Sequence, residues 1–522
     1  LALVAALAHA PAAARAEDPA VATRSAELDA VLLDRAGAAA RAKAVHVLAE
    51  LGTADAARAL VGRLNTLAER KTKLEEQHAR TKQEYAPYEG FTFTDPKAWD
   101  IKKRLREELD GQAEVLVNDS LVLRAFATAC GKFIDPDANK IIEREATAAP
   151  HAHARAAVLR GLLLNAVVAP EEIGKKGLRD KDPTVRLVVL ETLAERQDPS
   201  TLELGIKALK EPGWPHRQAA AQLLGRLKDV NAVAPLVNAM ATDEGRMLEV
   251  YAEALAAITG AQIGPFPDAW KGWYDEHKAE LAEQGAKPQS TKRAKPGADA
   301  GIDYYGIETK SRRIVFLIDV SGSMKEPIGN PETEVTGGEQ EVYSGLKVDI
   351  AKKVLKQAIR NLPEEAYFNI VVFNHEVKVF EKSLIQATQD NKNKSYLMIN
   401  DLTASGSTFT YGALEKAFDM AGMGLTDKAY DPGVDTMFLM SDGAPTTADI
   451  DKAEPMDPDK VTDAVREWNQ LKRIAIHTIA IDPRIGSGGK GFVRFMKALA
   501  AQNSGTYTEI GADGTRSGGG KD

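Results

Sequence analysis

One cysteine, Cys130, stands among 522 residues, so no intrachain disulfide can form and stability must come from packing. That suits a bacterial extracytoplasmic protein better than a small stapled secreted domain. Cys130 lies in an Ala- and Phe-rich helical stretch and reads as a buried, inert thiol. Basic charge is also short: 67 Lys and Arg against 75 Asp and Glu give a net charge of −8, with no basic stripe of helix length. A duplex-binding function is thereby disfavoured, and nucleic acid is not an expected partner. Beyond the N-terminus no run approaches the roughly 20 apolar residues that a membrane-spanning helix needs. What is plentiful is length, enough for two or three separate cores.

The Ala- and Leu-rich stretch 1–16 ends in Ala14-Arg15-Ala16 before acidic Glu17-Asp18. An apolar core followed by a small-x-small site reads as the remnant of a secretory signal. Export, to the periplasm or outside the cell, is the expectation that follows.

Arg155, Arg186 and Arg217 are spaced 31 residues apart, and each opens a similar apolar-periodic segment. Leu162, Leu193, Leu224 and Leu255 keep the same spacing, as do Val158, Val189, Ala220 and Tyr251. Arg124 extends the series upstream, and the run Arg41 to Leu48 restates it out of phase, so an insertion separates these copies. A period of this length built from paired helices predicts an α-solenoid, in which each unit buries its apolar face by stacking on the next. Asp135-Pro136, Asp182-Pro183 and Asp198-Pro199 supply helix starts, with Asp as cap and Pro in the first turn. The pattern resembles HEAT repeats over roughly residues 24–262.

The insertion, 64–117, is dominated by Glu, Lys, Arg and Gln and broken at Tyr85 to Gly90. It predicts two antiparallel helices forming a projecting arm, with a solvated spacer as the default role. Residues 263–283 carry Trp270 and Trp273 on one helix face and read as a cap for the last repeat. Residues 284–303 are rich in Lys, Pro, Gly and Ala without apolar periodicity, the character of a linker.

From residue 304 apolar strands alternate with amphipathic helices. Strands are predicted over 313–319, 366–374, 434–441 and 474–481, and helices over 347–361, 411–421, 461–472 and 492–501. The alternation implies a doubly wound, mainly parallel, Rossmann-like α/β sheet. In such sheets ligands collect beyond the carboxyl ends of the strands. There stand Asp319, Ser321 and Ser323 after the first strand, Thr408 in a Ser-Gly-Ser-Thr loop, and Asp442 after the strand that ends at Ser441.

These five residues, in this order, resemble the metal ion-dependent adhesion site of von Willebrand factor type A domains, over roughly 304–512, with 513–522 left as a tail. Hard Mg²⁺ favours about six oxygens, so hydroxyls, carboxylates and water suit it where thiolates and imidazoles do not; Mn²⁺ and Ca²⁺ are the alternatives. The resemblance implies Asp319, Ser321, Ser323, Thr408 and Asp442 as metal ligands. It also implies a position left for a Glu or Asp of a protein partner, hence a non-enzymatic adhesion or scaffolding role. A peptide in the solenoid groove is a further candidate partner. The loop 325–344 contains Glu332, Glu334, Glu339 and Glu341, and an ordinary solvated loop is favoured over one that occludes the metal through residues 330–341.

Other motifs do not hold together. Gly486 to Gly491 lacks the spacing of a phosphate loop. Asp449 to Lys460 has Glu454 and Lys460 where a calcium loop needs Gly and Glu. His151 and His153 are two apart, hence not on one helix face. Ser321 and Ser323 lack a nucleophile elbow, and His375 and His477 have no assigned catalytic partner. Two rival functions remain: a regulatory subunit of an ATPase assembly, which requires cytoplasmic residence, and an undetected hydrolase.

Overall fold

The computed structural model of the protein describes residues 18–33, 37–88, 95–284, 302–329, 343–422, 433–448, 453–469, 473–483 and 489–518. The expected leader 1–16, the loop 330–341 and residues 285–301 of the expected linker lie outside these. Two compact units result, residues 1–73 with 118–180 and residues 74–117 with 181–522. Among the described residues no helix is long and apolar enough to cross a membrane.

The first unit is all helical, and its charges serve the fold. Arg41 donates to Asp119 at 2.6 Å, both fully buried, and Arg70 approaches the same carboxylate at 3.2 Å. Arg155 opens the helix Ala152–Leu164 and donates to the carbonyls of Ala149 and Pro150 at 3.0 and 3.1 Å. Its other nitrogens reach both oxygens of Asp180, at 2.7 and 3.0 Å. Helices cross closely at Gly161, where a Cβ would lie 2.5 Å from the carbonyl of Ala127 and 2.6 Å from Cys130 Cβ. Cys130 is fully buried and its thiol is pushed up to about 12 by that burial, the inert state expected of it.

The second unit contains helical repeats from Pro183–Arg196 through Met247–Thr259. Arg217 repeats the arrangement of Arg155: it donates to the carbonyls of Glu211 and Pro212 and to both oxygens of Asp243, at 2.8 and 3.1 Å. Arg186 points to Glu211 at 4.0 Å. The 31-residue period therefore has a physical content, since each arginine ties its own helix start to an acid about 25 residues on. Asp135, Asp182 and Asp198 each accept from the backbone N–H two residues ahead, as helix caps do. Trp270 is fully buried and donates to the Gly264 carbonyl at 2.8 Å.

The arm consists of the long helices Ala54–Tyr85 and Pro96–Cys130. Its outer part belongs to the second unit and is not a solvated spacer: Lys82 pairs with Asp419, and Arg106 donates to Glu415 at 3.0 Å. Both acids lie on the helix Thr410–Met420 of the α/β domain.

That domain is a doubly wound, mainly parallel sheet. In chain order its strands are β1 Arg313–Asp319, β2 Tyr367–Phe373, β3 Val377–Val379, β4 Thr436–Ser441, β5 Ala475–Ile481, β6 Tyr507–Ile510 and β7 Arg516–Gly518. They lie in the order β7-β6-β5-β4-β1-β2-β3, and Ile385–Gln386 also pairs with β2. The five central strands are parallel, with antiparallel β3 and β7 at the edges. Ile314, Phe316 and Ile318 enter the core on one face, Val315 and Leu317 that on the other. Burial on both faces explains the unbroken apolar run of β1. The repeats of this unit touch the domain directly: Glu249 accepts from the Thr309 hydroxyl at 2.8 Å, and Arg312 pairs with Glu244 at 2.7 Å.

Candidate metal centre

β1, β2 and β4 end side by side at one rim, and the loops after them are stitched together by backbone hydrogen bonds. Val320 N–H donates to the Phe373 carbonyl at 2.8 Å, Ser405 N–H to Val320 at 2.7 Å, and Gly322 N–H to Gly406 at 2.9 Å. Gly406 has φ +73°, and a Cβ there would fall 2.1 Å from His375 Nδ1, so only glycine lets the loop lie this close.

On this frame Asp319, the last residue of β1, is fully buried. Its Oδ1 accepts from the Ser321 N–H at 2.7 Å and its Oδ2 from the Ser441 hydroxyl at 2.5 Å. The Ser321 and Ser323 hydroxyls are 3.2 Å apart, and Ser323 donates to Asp442 Oδ1 at 2.7 Å. Asp319, Ser321, Ser323 and Asp442 thus form one connected polar group. Thr408, 7 % exposed, stands beside it: a Cβ on Gly443, the residue after Asp442, would lie 3.6 Å from the Thr408 hydroxyl. Thr408 is fixed by exchange with Thr446, donating its N–H to that hydroxyl at 2.9 Å and accepting the Thr446 N–H at 2.8 Å.

Three contributors were not legible in the sequence. Ser441 looks like the end of a strand, yet its hydroxyl holds Asp319. Lys347, the first residue of the helix Lys347–Asn361, looks like a surface lysine but is 3 % exposed and donates to Asp442 Oδ2 at 3.0 Å and to Glu326 at 3.0 Å. Asp482, just past β5, lies 3.8 Å from the same ammonium.

The electrostatics fit a cation. Burial, and after it the charge of Asp442, pushes the Asp319 carboxyl up to about 7. Its hydrogen-bond donors, Ser321 and Ser441, are neutral, so a positive partner is what its anionic form needs. Burial works against the charge of Lys347, but Asp442 and then Glu326 outweigh it and hold the ammonium above the ordinary lysine value. Among the described residues no three His, Cys, Asp or Glu side chains gather as a metal cluster, so an ion here would rest on two carboxylates and the hydroxyls.

The remaining candidates separate from this rim. His477 lies on β5, accepting the Thr506 N–H at 3.0 Å and stacking on Phe438. Asp457 caps the helix Pro458–Trp468. Asp449 and Asp451, and residues 486–488 of the glycine run, lie outside the described residues.

Comparison with known proteins agrees with this architecture. A family model for HEAT repeats matches residues 175–256, and one for the von Willebrand factor type A domain matches 340–508. The latter span holds Thr408 and Asp442, while Asp319, Ser321 and Ser323 precede it. The chain is 27% identical over 211 residues to the Homo sapiens voltage-dependent calcium channel subunit alpha-2/delta-4, covering 40% of this chain and 15% of that protein. It is 25% identical over 214 residues to the Homo sapiens inter-alpha-trypsin inhibitor heavy chain H4, covering 40% of this chain and 19% of that protein. It therefore spans less than a fifth of either relative. A solved von Willebrand factor type A structure from Catenulispora acidiphila is 20% identical with TM-score 0.28, covering 39% of this chain and 40% of that one. Residues 340–508 thus match a von Willebrand factor type A domain, and residues 175–256, on its N-terminal side, match HEAT repeats.

Proposed function

We propose that this protein is an exported, non-enzymatic recognition protein whose α/β domain binds an acidic side chain of a protein partner through a divalent cation. Asp319, Ser321, Ser323, Thr408 and Asp442 would hold the ion, Mg²⁺ by the hardness of its oxygen donors and otherwise Mn²⁺ or Ca²⁺. The ion would supply an electrophilic position for a partner carboxylate. The observation that carries this reading is the connected group Asp319–Ser321–Ser323–Asp442, with Asp319 fully buried at the strand ends.

The chain's own residues do the positioning. Ser441 orients Asp319, Lys347 orients Asp442, and the Thr446 exchange fixes Thr408. Two of the relatives are named as a channel subunit and as a heavy chain, so as parts of larger assemblies, which supports a binding role.

Calorimetric titration of Mg²⁺ and Mn²⁺ into the wild type and Asp319→Ala tests the proposal. Loss of binding at least a hundredfold, with the thermal transition nearly unmoved, is expected; equal binding would sink the assignment. Capture of an envelope protein that is released by chelator would identify the partner, and fractionation of cells producing the complete protein tests export.

A further inference from the structure

The Lys347 ammonium is buried at the metal rim among carboxylates that it meets unequally. It stands 3.0 Å from Asp442 Oδ2, 3.0 Å from Glu326 and 3.8 Å from Asp482. The side chains of Asp442 and Asp482 are 0 % and 10 % exposed, whereas that of Glu326 is 66 % exposed and meets water. Two buried carboxylates therefore flank one buried ammonium. The nearer accepts a charge-assisted hydrogen bond from it; the farther attracts it from beyond hydrogen-bond reach.

The sheet holds both carboxylates in place. Asp442 follows β4 and Asp482 follows β5, neighbouring parallel strands with Ser441 opposite Ala480. The Asp482 N–H donates to the Ile510 carbonyl at 2.7 Å, which fixes its backbone at the end of the strand. The backbone of Lys347 is fixed as well, by its N–H on the Glu326 carbonyl at 3.1 Å and by the pairing of Pro327 with Leu346. What is left to move is the ammonium, on its flexible four-carbon stem. A displacement of about 1 Å would bring it from 3.8 Å to a full hydrogen bond with Asp482.

We infer that Lys347 is a resident counter-ion that changes partners: when a divalent ion takes Asp442, the Lys347 ammonium leaves Asp442 Oδ2 and pairs with Asp482. This rests on the reading of the metal rim given above. A buried carboxylate without a cation is costly, and Lys347 spares Asp442 that cost before an ion arrives. An ion and an ammonium on one carboxylate repel each other, so the ammonium needs a second buried acceptor close by. Asp482 supplies it. Asp442 is then paired in both states, and so is Lys347. Asp482 becomes a positioning residue for binding, acting through the lysine, and the affinity of the rim for the ion is set by the difference between two pairings of one ammonium.

Calorimetric titration of Mg²⁺ into the full chain, Asp482→Asn, Lys347→Met and the double variant tests this as a double-mutant cycle. Asp482 has φ +44°, a conformation that Asn also adopts, so Asp482→Asn removes the charge and keeps the backbone. It should weaken Mg²⁺ binding about tenfold. In the Lys347→Met background, where no ammonium needs a new acceptor, the same change should alter binding less than about twofold. A direct effect of the Asp482 charge on the ion would persist there, so equal weakening in both backgrounds overturns the exchange. So does Asp482→Asn binding Mg²⁺ as the wild type does. Either result leaves the metal site standing, whereas a wild type that binds no Mg²⁺ overturns the metal reading and the exchange together. Thermal melting gives a second readout. In EDTA, Lys347→Met should melt below the wild type, and saturating Mg²⁺ should raise its midpoint by more than it raises the wild type's; equal rises overturn the exchange. Lys347→Gln is the second neutral variant should Lys347→Met not melt cooperatively.

Discussion

The helical repeats and the sheet rim both bury charge, but they balance it differently. In the repeats the buried Arg41 and Arg155 and the half-buried Arg217 each have a carboxylate: Asp119, Asp180 and Asp243 respectively. At the rim, among the described residues, Asp442, Asp482 and Glu326 share the Lys347 ammonium, which is not among the partners of Asp319. Balanced pairs are consumed by the fold. An unbalanced group keeps carboxylate charge that, on the proposed reading, a cation from outside would offset, and that would be the physical difference between a charge that builds the protein and one that lets it bind.

The sharpest way to break the comparison is Arg155→Met. Removing one member of a pair whose side chains are 5% and 7% exposed takes from buried Asp180 the guanidinium that meets both its oxygens, at about 3–5 kcal/mol of stability by urea unfolding. A loss under about 1 kcal/mol would show that these pairs are not what the repeat is built on. Asp419 is an intermediate case, because it has Lys82 as a partner yet burial, the largest influence, pushes its carboxyl up to about 6. Its folded pKa lies above the unfolded value, so its contribution is fully present below about pH 4 and is lost as pH rises through about 6. Asp419→Asn should therefore gain on the wild type between pH 4 and 7, by at most about 3 kcal/mol in denaturant midpoints. A gain in the opposite direction would mean that Lys82 outweighs burial.

At the rim, Lys347→Met removes an ammonium that competes with an ion for Asp442 and should strengthen Mg²⁺ binding about tenfold, or about 1.4 kcal/mol, by calorimetry. Weaker binding would mean that Lys347 serves mainly to hold Asp442 in place. The smallest effect belongs to Arg24→Ala, whose pair with Glu27 is half-exposed on both sides, and whose removal should change stability by less than about 0.5 kcal/mol.

What could be read from the sequence follows the same division. The repeat register was visible because one arginine does one job in each copy, and the central strands were visible because burial on both faces forces a continuous apolar run. The edge strand β3 was missed because three residues, two partly buried valines around an exposed lysine, are too few to set a pattern. So was the helix Gln389–Asn400, whose polar sequence has only a weak apolar face. At the rim the structure brings together Asp319, Ser321, Ser323 and Asp442, which residue type and order had singled out. Lys347 was not singled out, since its role depends on a carboxylate 95 residues away. The arm's contact with the domain was hidden for the same reason, because charged residues look solvated until their partners are known.

Ser441 carries a single hydroxyl proton, and two acceptors stand within its reach: Asp319 Oδ2 at 2.5 Å and the Gly443 carbonyl at 3.2 Å. One proton cannot serve both at once. Were a cation to hold Asp319, the hydroxyl would be free to turn toward the Gly443 carbonyl instead. The turn carrying Asp442 would then tighten or relax with the state of a carboxylate on the neighbouring strand, through nothing larger than a rotating O–H bond.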